Sequence, residues 1–413
     1  MSNSNFLDQT ANAASALREV LSATPLQRND YLSAKYDAEV YLKREDLTPV
    51  RSYKIRGAFN AMRKVIAKNP EAKFVCASAG NHAQGVAFAA KHFGVHAMIF
   101  MPVATPGQKI GKTRVFGGDN ITIELTGDYF DETLKAAKTY CETHDAHFLA
   151  PFDDEDVIEG QATIGAEILA ELPAFDHIFM PVGGGGLSAG LTRYFKAAGL
   201  TPKYHFVEPL GASSLQESLK AGEAKPLPRV DSFVDGAAVA QIGARNFEYL
   251  RGFSPEDVIA VPENRLCQTM VELLNIEGIV VEPAGALAID AMRDVDIKGK
   301  TVVAIVSGGN FDFERLPDVK ERAMRFEGTK KYFVLRLPQR PGALKEFLGL
   351  LGPNDDIARF EYMKKSARQF GTVLLGIETS DPANFPALFE RLEAAGFPTT
   401  DITDNETLGA FLI

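Results

Sequence analysis

The pattern that most constrains this chain is a repeated alternation of short apolar runs with helix-length segments. "KFVCAS" (73–78) is strand-like and leads into "GNHAQGVAFAAKHFG", a helical pattern closed by Gly94. "HAMIFMP" (96–102) stops at a proline. "NITIEL" (120–125) is followed by a helical 129–143, and "HFLAP" (147–151) by a helical 157–171. "HIFMPV" (177–182) enters a glycine run and then a helical 187–198. "KYHFVEP" (203–209) and "KTVVAIVSGGN" (300–310) complete the set. Apolar strands separated by helices of this length predict βαβ units and mostly parallel sheets. With 413 residues, more than one such sheet is expected.

The pattern changes after about residue 325. "KYFVLRLP" (331–338) reads as a strand, and "RPGALKEFLGLLG" has proline where a helix would begin and glycine where it would end. "DIARFEYMK" (356–364) and "GTVLLGIE" (371–378) read as two strands, "NFPALFERLEAAGF" (384–397) as an amphipathic helix, and "LGAFLI" (408–413) as a last strand. The order βαββαβ predicts an α+β, ferredoxin-like unit over 326–413.

Composition excludes several classes. Net charge is −10, which argues against nucleic acid as the main partner, because phosphate neutralisation needs a basic face. The three cysteines, Cys76, Cys141 and Cys267, are far apart and form no CxxC, so neither a disulfide framework nor a zinc site is expected. The first twenty residues lack a basic start and an apolar run, unlike a signal peptide. No stretch reaches the ~18 apolar residues of a membrane span. A cytoplasmic protein is expected.

Four motifs carry candidate chemistry. Lys54, in "VRSYKIRGAF", is either a solvated charge or an amine nucleophile. Arg51, Arg56 and burial are expected to lower its pKa, since only the neutral amine forms a Schiff base. "CASAGNHAQG" (76–85) is a strand-to-helix turn that offers Ser78 Oγ and backbone N–H groups to a carboxylate. Within it His82 either titrates or is simply packed. "FMPVGGGGLSAG" (179–190) lets the backbone wrap an anion. It has a rival reading: Gly184, Gly186 and Ala189 satisfy G-x-G-x-x-A, with Glu208 placed as a ribose-binding acid, the dinucleotide fingerprint. "AIVSGGNFD" (304–312) ends a buried strand in Ser307, either an ordinary turn or a hydroxyl for a ring nitrogen. Together an amine, a carboxylate turn, a phosphate cradle and a hydroxyl at a strand end fit pyridoxal 5'-phosphate with an amino acid.

The sequence resembles the threonine dehydratases (threonine ammonia-lyases), of the tryptophan-synthase-β or type II group of pyridoxal phosphate enzymes. The resemblance rests on "TPLQRND" (24–30), "YLKREDL" (41–47), "RSYKIRGA" (51–58), "SAGNHAQGVA" (78–87), "PFDDEDVIEGQ" (151–161), "PVGGGGL" (181–187), "VDGAAV" (234–239), "EPAGA" (282–286) and "SGGN" (307–310). The C-terminal unit resembles one ACT-like regulatory domain of the biosynthetic, isoleucine-sensitive forms.

The resemblance implies an α/β catalytic domain over 1–325 with two parallel-sheet subdomains, the small one about 55–155, and an ACT-like domain over 326–413. Lys54 would hold the cofactor covalently, with Tyr53 beside the ring where many relatives have Phe. Gly183, Gly184, Gly185, Gly186 and Leu187 would line the phosphate. Asn81 would bond the ring hydroxyl and Ser307 the ring nitrogen, while Ser78, Ala79, Gly80 and Asn81 would grip the substrate carboxylate. The freed Lys54 amine would take the Cα proton of L-threonine, giving 2-oxobutanoate and ammonia, and L-serine would give pyruvate. Neutral Ser307 makes a weak electron sink, which favours elimination over transamination. Ala79 stands where serine racemases carry a serine, which argues against racemisation.

The resemblance further implies isoleucine as effector at the C-terminal domain and a homotetramer or homodimer. No metal is assigned, although Glu208 is a candidate monovalent-cation ligand by position. The alternatives are a type II serine dehydratase, cysteine synthase or threonine synthase, a nicotinamide-dependent dehydrogenase, and an amino-acid-sensing protein.

Overall fold

The computed structural model describes residues 3–364 and 369–405. It divides into two compact units, Met1–Asp312 and Phe313–Ile413. Strands β1 (Leu26–Arg28) and β2 (Glu39–Arg44) open a large sheet. The chain then leaves to build a small sheet from β3 (Lys73–Ala77), β4 (Ala97–Met101), β5 (Ile121–Leu125) and β6 (Ala146–Phe148). It returns with β7 (His177–Pro181), β8 (Lys203–Pro209), β9 (Val258–Val261) and β10 (Thr301–Val306). The large sheet has the order β1-β2-β10-β7-β8-β9 and the small one β5-β4-β3-β6. All neighbours are parallel except β1 against β2.

Central strands read as unbroken apolar runs because both faces are covered. In β3, Phe74 and Cys76 pack with Phe59, Met62, Val86 and Ala90 of two helices, Lys54–Lys68 and Asn81–Phe93. Val75 and Ala77 face the other way, with Phe100 and Ala137. In the large sheet, Ile178, Met180, Val303 and Ile305 share a core with Ile168, Leu191 and Phe195. Each such side chain contributes about 1.5–3 kcal/mol of burial. Strands β1, β2 and β9 are not among the runs the periodicity picks out. The β2 strand ends in Lys43 and Arg44, both buried, so its charged end hides a core strand. Strand β6 stops at Phe148, and 149–154 runs on without regular structure.

In the second unit β11 (Lys330–Pro338), β12 (Asp355–Met363), β13 (Phe370–Thr379) and β14 (Thr399–Asp401) form an antiparallel sheet, β12-β13-β11-β14. Helices Ala343–Leu348 and Asn384–Ala394 complete βαββαβ. The core joins Phe333, Leu335, Leu375, Phe385, Leu388 and Phe397. The fourth strand is Thr399–Asp401; the run 408–413, expected in that role, lies outside the described residues. Among the described residues no helix is long and apolar enough to cross a membrane.

Candidate active site

Three strands end where the motifs begin: β3 before Ser78, β7 before the glycine run, and β10 before Ser307. Carboxyl ends of parallel strands are where such sheets bind ligands. Lys54 is tied to the end of β10 through the residues before it. Tyr53 N–H donates to the Ser307 carbonyl at 3.1 Å, Gly309 N–H to the Arg51 carbonyl at 2.9 Å, and Ser52 bridges Gly308. Arg51 has φ 58°, a left-handed conformation that is uncommon outside glycine. These bonds hold the turn that starts the helix Lys54–Lys68 at the lysine itself.

Lys54 Nζ donates to the Pro151 carbonyl at 2.8 Å and lies 5.4 Å from the Tyr53 ring centre and 5.8 Å from that of Phe152. Desolvation lowers its pKa to about 8, opposed by the Glu282 carboxylate. The flanking arginines, expected to lower it, are not what does so. Arg56 is fully buried and turned away into a charge network, and burial alone accounts for the lowered amine. Its guanidinium donates to Glu45 at 2.8 and 2.9 Å and to Glu167 at 2.9 and 2.8 Å. Lys43 Nζ reaches Glu167 at 2.7 Å, and Arg18 reaches it at 2.6 Å.

The turn after β3 is half-buried at Ser78, Ala79, Gly80 and Asn81, while the flanking residues are closed. Gly80 N–H, expected to be free for a carboxylate, donates to Ser78 Oγ at 3.2 Å. Asn81 is fixed at both ends of its amide: Nδ2 donates to Glu282 Oε1 at 2.6 Å, and Oδ1 accepts from Asn310 Nδ2 at 2.7 Å. His82 is packed rather than titrating. Its Nε2 is 2.9 Å from the Leu149 carbonyl, so that nitrogen carries the proton, and burial together with Lys54 pushes its pKa down to about 3.

Glu282 carries no local chemical signal beyond its place in "EPAGA", yet it belongs to the site. It is buried beside Gly308, where a Cβ would come within 2.2 Å of its Oε1. Burial and Asp235 raise its pKa to about 7, against the Asn81 hydrogen bond. Ser307 is buried and its Oγ donates to the Ala284 carbonyl at 3.2 Å. Lys54, Tyr53, Asn81, Glu282, Ser307 and Asn310 are therefore linked in one cluster.

The glycine run joins that cluster through Phe152. A Cβ on Gly184 would sit 2.1 Å from the Phe152 ring, and Gly185 has φ +87° before the helix Gly186–Ala197. Neither position accepts a side chain. Leu187 is buried in the large-sheet core, so only its backbone is available. The dinucleotide reading loses its acid. Glu208 is buried and its carboxylate accepts Leu215 N–H at 2.8 Å and Gln216 N–H at 3.0 Å, turned into the start of the next helix. Burial raises its pKa to about 8 despite those bonds. Among the described residues no group of three or more His, Cys, Asp or Glu could hold a metal ion.

A desolvated amine, a fixed carboxamide, a buried hydroxyl and a glycine cradle at a helix N-terminus fit a phosphorylated pyridine aldehyde. The comparisons agree. Residues 17–308 match the family model of pyridoxal-phosphate dependent enzymes, and 321–412 match that of the C-terminal regulatory domain of threonine dehydratase. The biosynthetic L-threonine dehydratase IlvA of Bacillus subtilis (strain 168) is 48% identical over 402 residues, 96% of this chain and 95% of that protein. The processed threonine deaminase isoform 2 of Solanum lycopersicum is 36% identical with a TM-score of 0.71, over 78% of this chain and 94% of that one. Maize serine racemase shares the fold, with a TM-score of 0.70 and 27% identity over 78% of this chain and 98% of that one. By its two family matches and its end-to-end similarity to that relative, the chain belongs to the pyridoxal-phosphate-dependent enzymes, among the biosynthetic threonine dehydratases.

Proposed function

We propose that the protein dehydrates and deaminates L-threonine to 2-oxobutanoate and ammonia, as the first step of isoleucine biosynthesis, and that L-serine reacts by the same route to pyruvate and ammonia. The observation that carries this reading is the Lys54 amine, desolvated to a pKa of about 8 and linked to both the asparagine turn and the glycine run. Pyridoxal phosphate, when bound, supplies the electron sink for loss of the Cα proton. Lys54 would hold the cofactor and, once freed, would take that proton at Nζ, because a pKa near 8 makes its neutral form far more accessible than that of an ordinary lysine. Gly183, Gly184, Gly185, Gly186 and the Leu187 backbone hold the phosphate. Tyr53 would lie beside the ring, Asn81 would bond its hydroxyl and Ser307 its nitrogen. Ser78, Ala79, Gly80 and Asn81 take the substrate carboxylate. Ala79 offers only a methyl group, which cannot return a proton to the opposite face; this favours a lyase over a racemase.

The match of residues 321–412 to a regulatory domain supports an effector site on the C-terminal unit. The effector proposed for residues 326–413 is isoleucine, in a cytoplasmic homotetramer or homodimer. Binding that differs between two states by ~1–3 kcal/mol suffices for such control. The test is 2-oxobutanoate release by the full-length protein, with and without isoleucine, for wild type and Lys54→Ala. Threonine turnover lost in the variant and suppressed by isoleucine is expected. Turnover retained without the lysine would overturn the catalytic reading, and indifference to isoleucine the regulatory one.

A further inference from the structure

Asn246 is wholly buried beside the glycine run, and no motif in the sequence singled it out. Its Nδ2 donates to two carbonyls, Gly184 at 2.6 Å and Phe152 at 3.2 Å, while its Oδ1 has no hydrogen-bond partner. The orientation is dictated by chemistry: the flipped amide would press Oδ1 against two carbonyl lone pairs. An unpaired buried oxygen costs stability, so the donor side must be worth keeping. The same segment is anchored from below. Asp153 Oδ1 accepts the N–H groups of Arg245 at 3.0 Å and Asn246 at 3.2 Å.

The Gly184 carbonyl also accepts Gly243 N–H at 3.1 Å. Both of its lone pairs are thus held toward the 243–246 segment. The peptide is trans, so the Gly185 N–H points to the opposite side. On the reading that this loop holds the cofactor phosphate, that is the side of the anion. The second carbonyl matters equally. Phe152 follows Pro151, whose carbonyl holds the Lys54 amine at 2.8 Å.

We propose that Asn246 is a positioning residue for the phosphate cradle: its carboxamide ties the Gly184 carbonyl to the Phe152 carbonyl and so sets the Gly185 N–H in register with the Lys54 amine. This rests on the loop being the phosphate site, and the test separates the two ideas. Apoprotein of wild type, Asn246→Ala and Asn246→Leu is titrated with pyridoxal 5'-phosphate and, separately, with pyridoxal, which lacks the phosphate; melting is recorded alongside. The account expects affinity for the phosphorylated cofactor to fall about ten- to a hundredfold, with less than about a threefold change for pyridoxal. Unchanged affinity, or an equal loss for both ligands, overturns the proposal, the second outcome marking a merely structural residue. Gly184→Ala is the control for the underlying reading. If it leaves cofactor affinity intact, the loop is not the phosphate site. If it weakens binding while the Asn246 variants do not, only the role of Asn246 falls. Should both Asn246 variants fail to fold, wild-type apoprotein is titrated with inorganic phosphate. Parallel shifts of the Gly185 amide and Asn246 side-chain amide resonances are expected, and a silent Asn246 overturns the inference.

Discussion

Lys54 and Arg56 stand two residues apart on one helix, yet their pKa values move in opposite directions. Burial lowers the pKa of both. At Lys54 the opposing group is Glu282 alone, and the amine ends near 8. At Arg56 the carboxylates of Glu45 and Glu167, both within hydrogen-bond distance, outweigh burial and raise it. Glu167 shows the reciprocal: burial alone would raise its pKa, but Arg56 and Lys43 hold it well below the usual carboxylate range. A buried cation stays charged where bidentate partners are supplied and becomes a base where they are withheld. One turn of helix thus carries a structural anchor and a reactive amine side by side.

The contrast predicts a clean division of effects. Lys54→Ala should lower threonine turnover about a thousandfold or more, measured as 2-oxobutanoate release, while the melting temperature of the apoprotein at neutral pH does not fall, because the desolvated amine is a penalty there. Loss of stability without loss of turnover would invert the assignment. Arg56→Met should do the reverse at the level of the fold, because Glu45 and Glu167 are left buried without their main partner. A cost of about 3–5 kcal/mol in denaturant unfolding is expected. A variant within about 1 kcal/mol of wild type would show that the network is dispensable.

The same contrast fixes the sign of the pH dependence. The folded pKa of Lys54 is below its unfolded value of 10.5, so the folded state releases a proton that the unfolded state keeps up to that pH. The resulting penalty is full below about pH 8 and is relieved as pH rises toward 10.5, by at most about 3 kcal/mol. Apoprotein stability should rise over that window, and Lys54→Met should flatten the rise. Glu167 acts at the other end. Its depressed pKa contributes stability that is present above its unfolded value of 4.5 and is lost as pH falls below it. The smallest effect belongs to Glu282. Its carboxylate opposes the lowering of Lys54, so Glu282→Gln should move the amine midpoint further down, by about a unit or less. A shift upward in a pH–reactivity profile would contradict that coupling.

Much of this was legible in the sequence where one rule dominates. Apolar strands covered on both faces announced β3, β4, β7, β8 and β10, and alternation with helices announced the parallel sheets. Glycine runs after strands marked the cradle because side chains at Gly184 and Gly185 are sterically refused. What stayed hidden depends on partners far along the chain. Strand β2 ends in charged residues, and Lys43 looks exposed until Glu167, 124 positions along, is brought to it. Arg56 reads as a charge beside Lys54, and only the fold reveals that it faces Glu45 and Glu167. Glu282 and Asn246 act through residues 201 and 62 positions away, Asn81 and Gly184, which no local spacing reports. Strand β14 has three residues, too few for its period to show.

The central claim is that Lys54 is a desolvated amine rather than a paired charge. The most direct measurement is the pH dependence of Lys54 acylation in the apoprotein, followed residue by residue by mass spectrometry. The account predicts a midpoint near 8, with solvent-exposed lysines such as Lys298 titrating well above it. A Lys54 midpoint at or above 10.5 would contradict it.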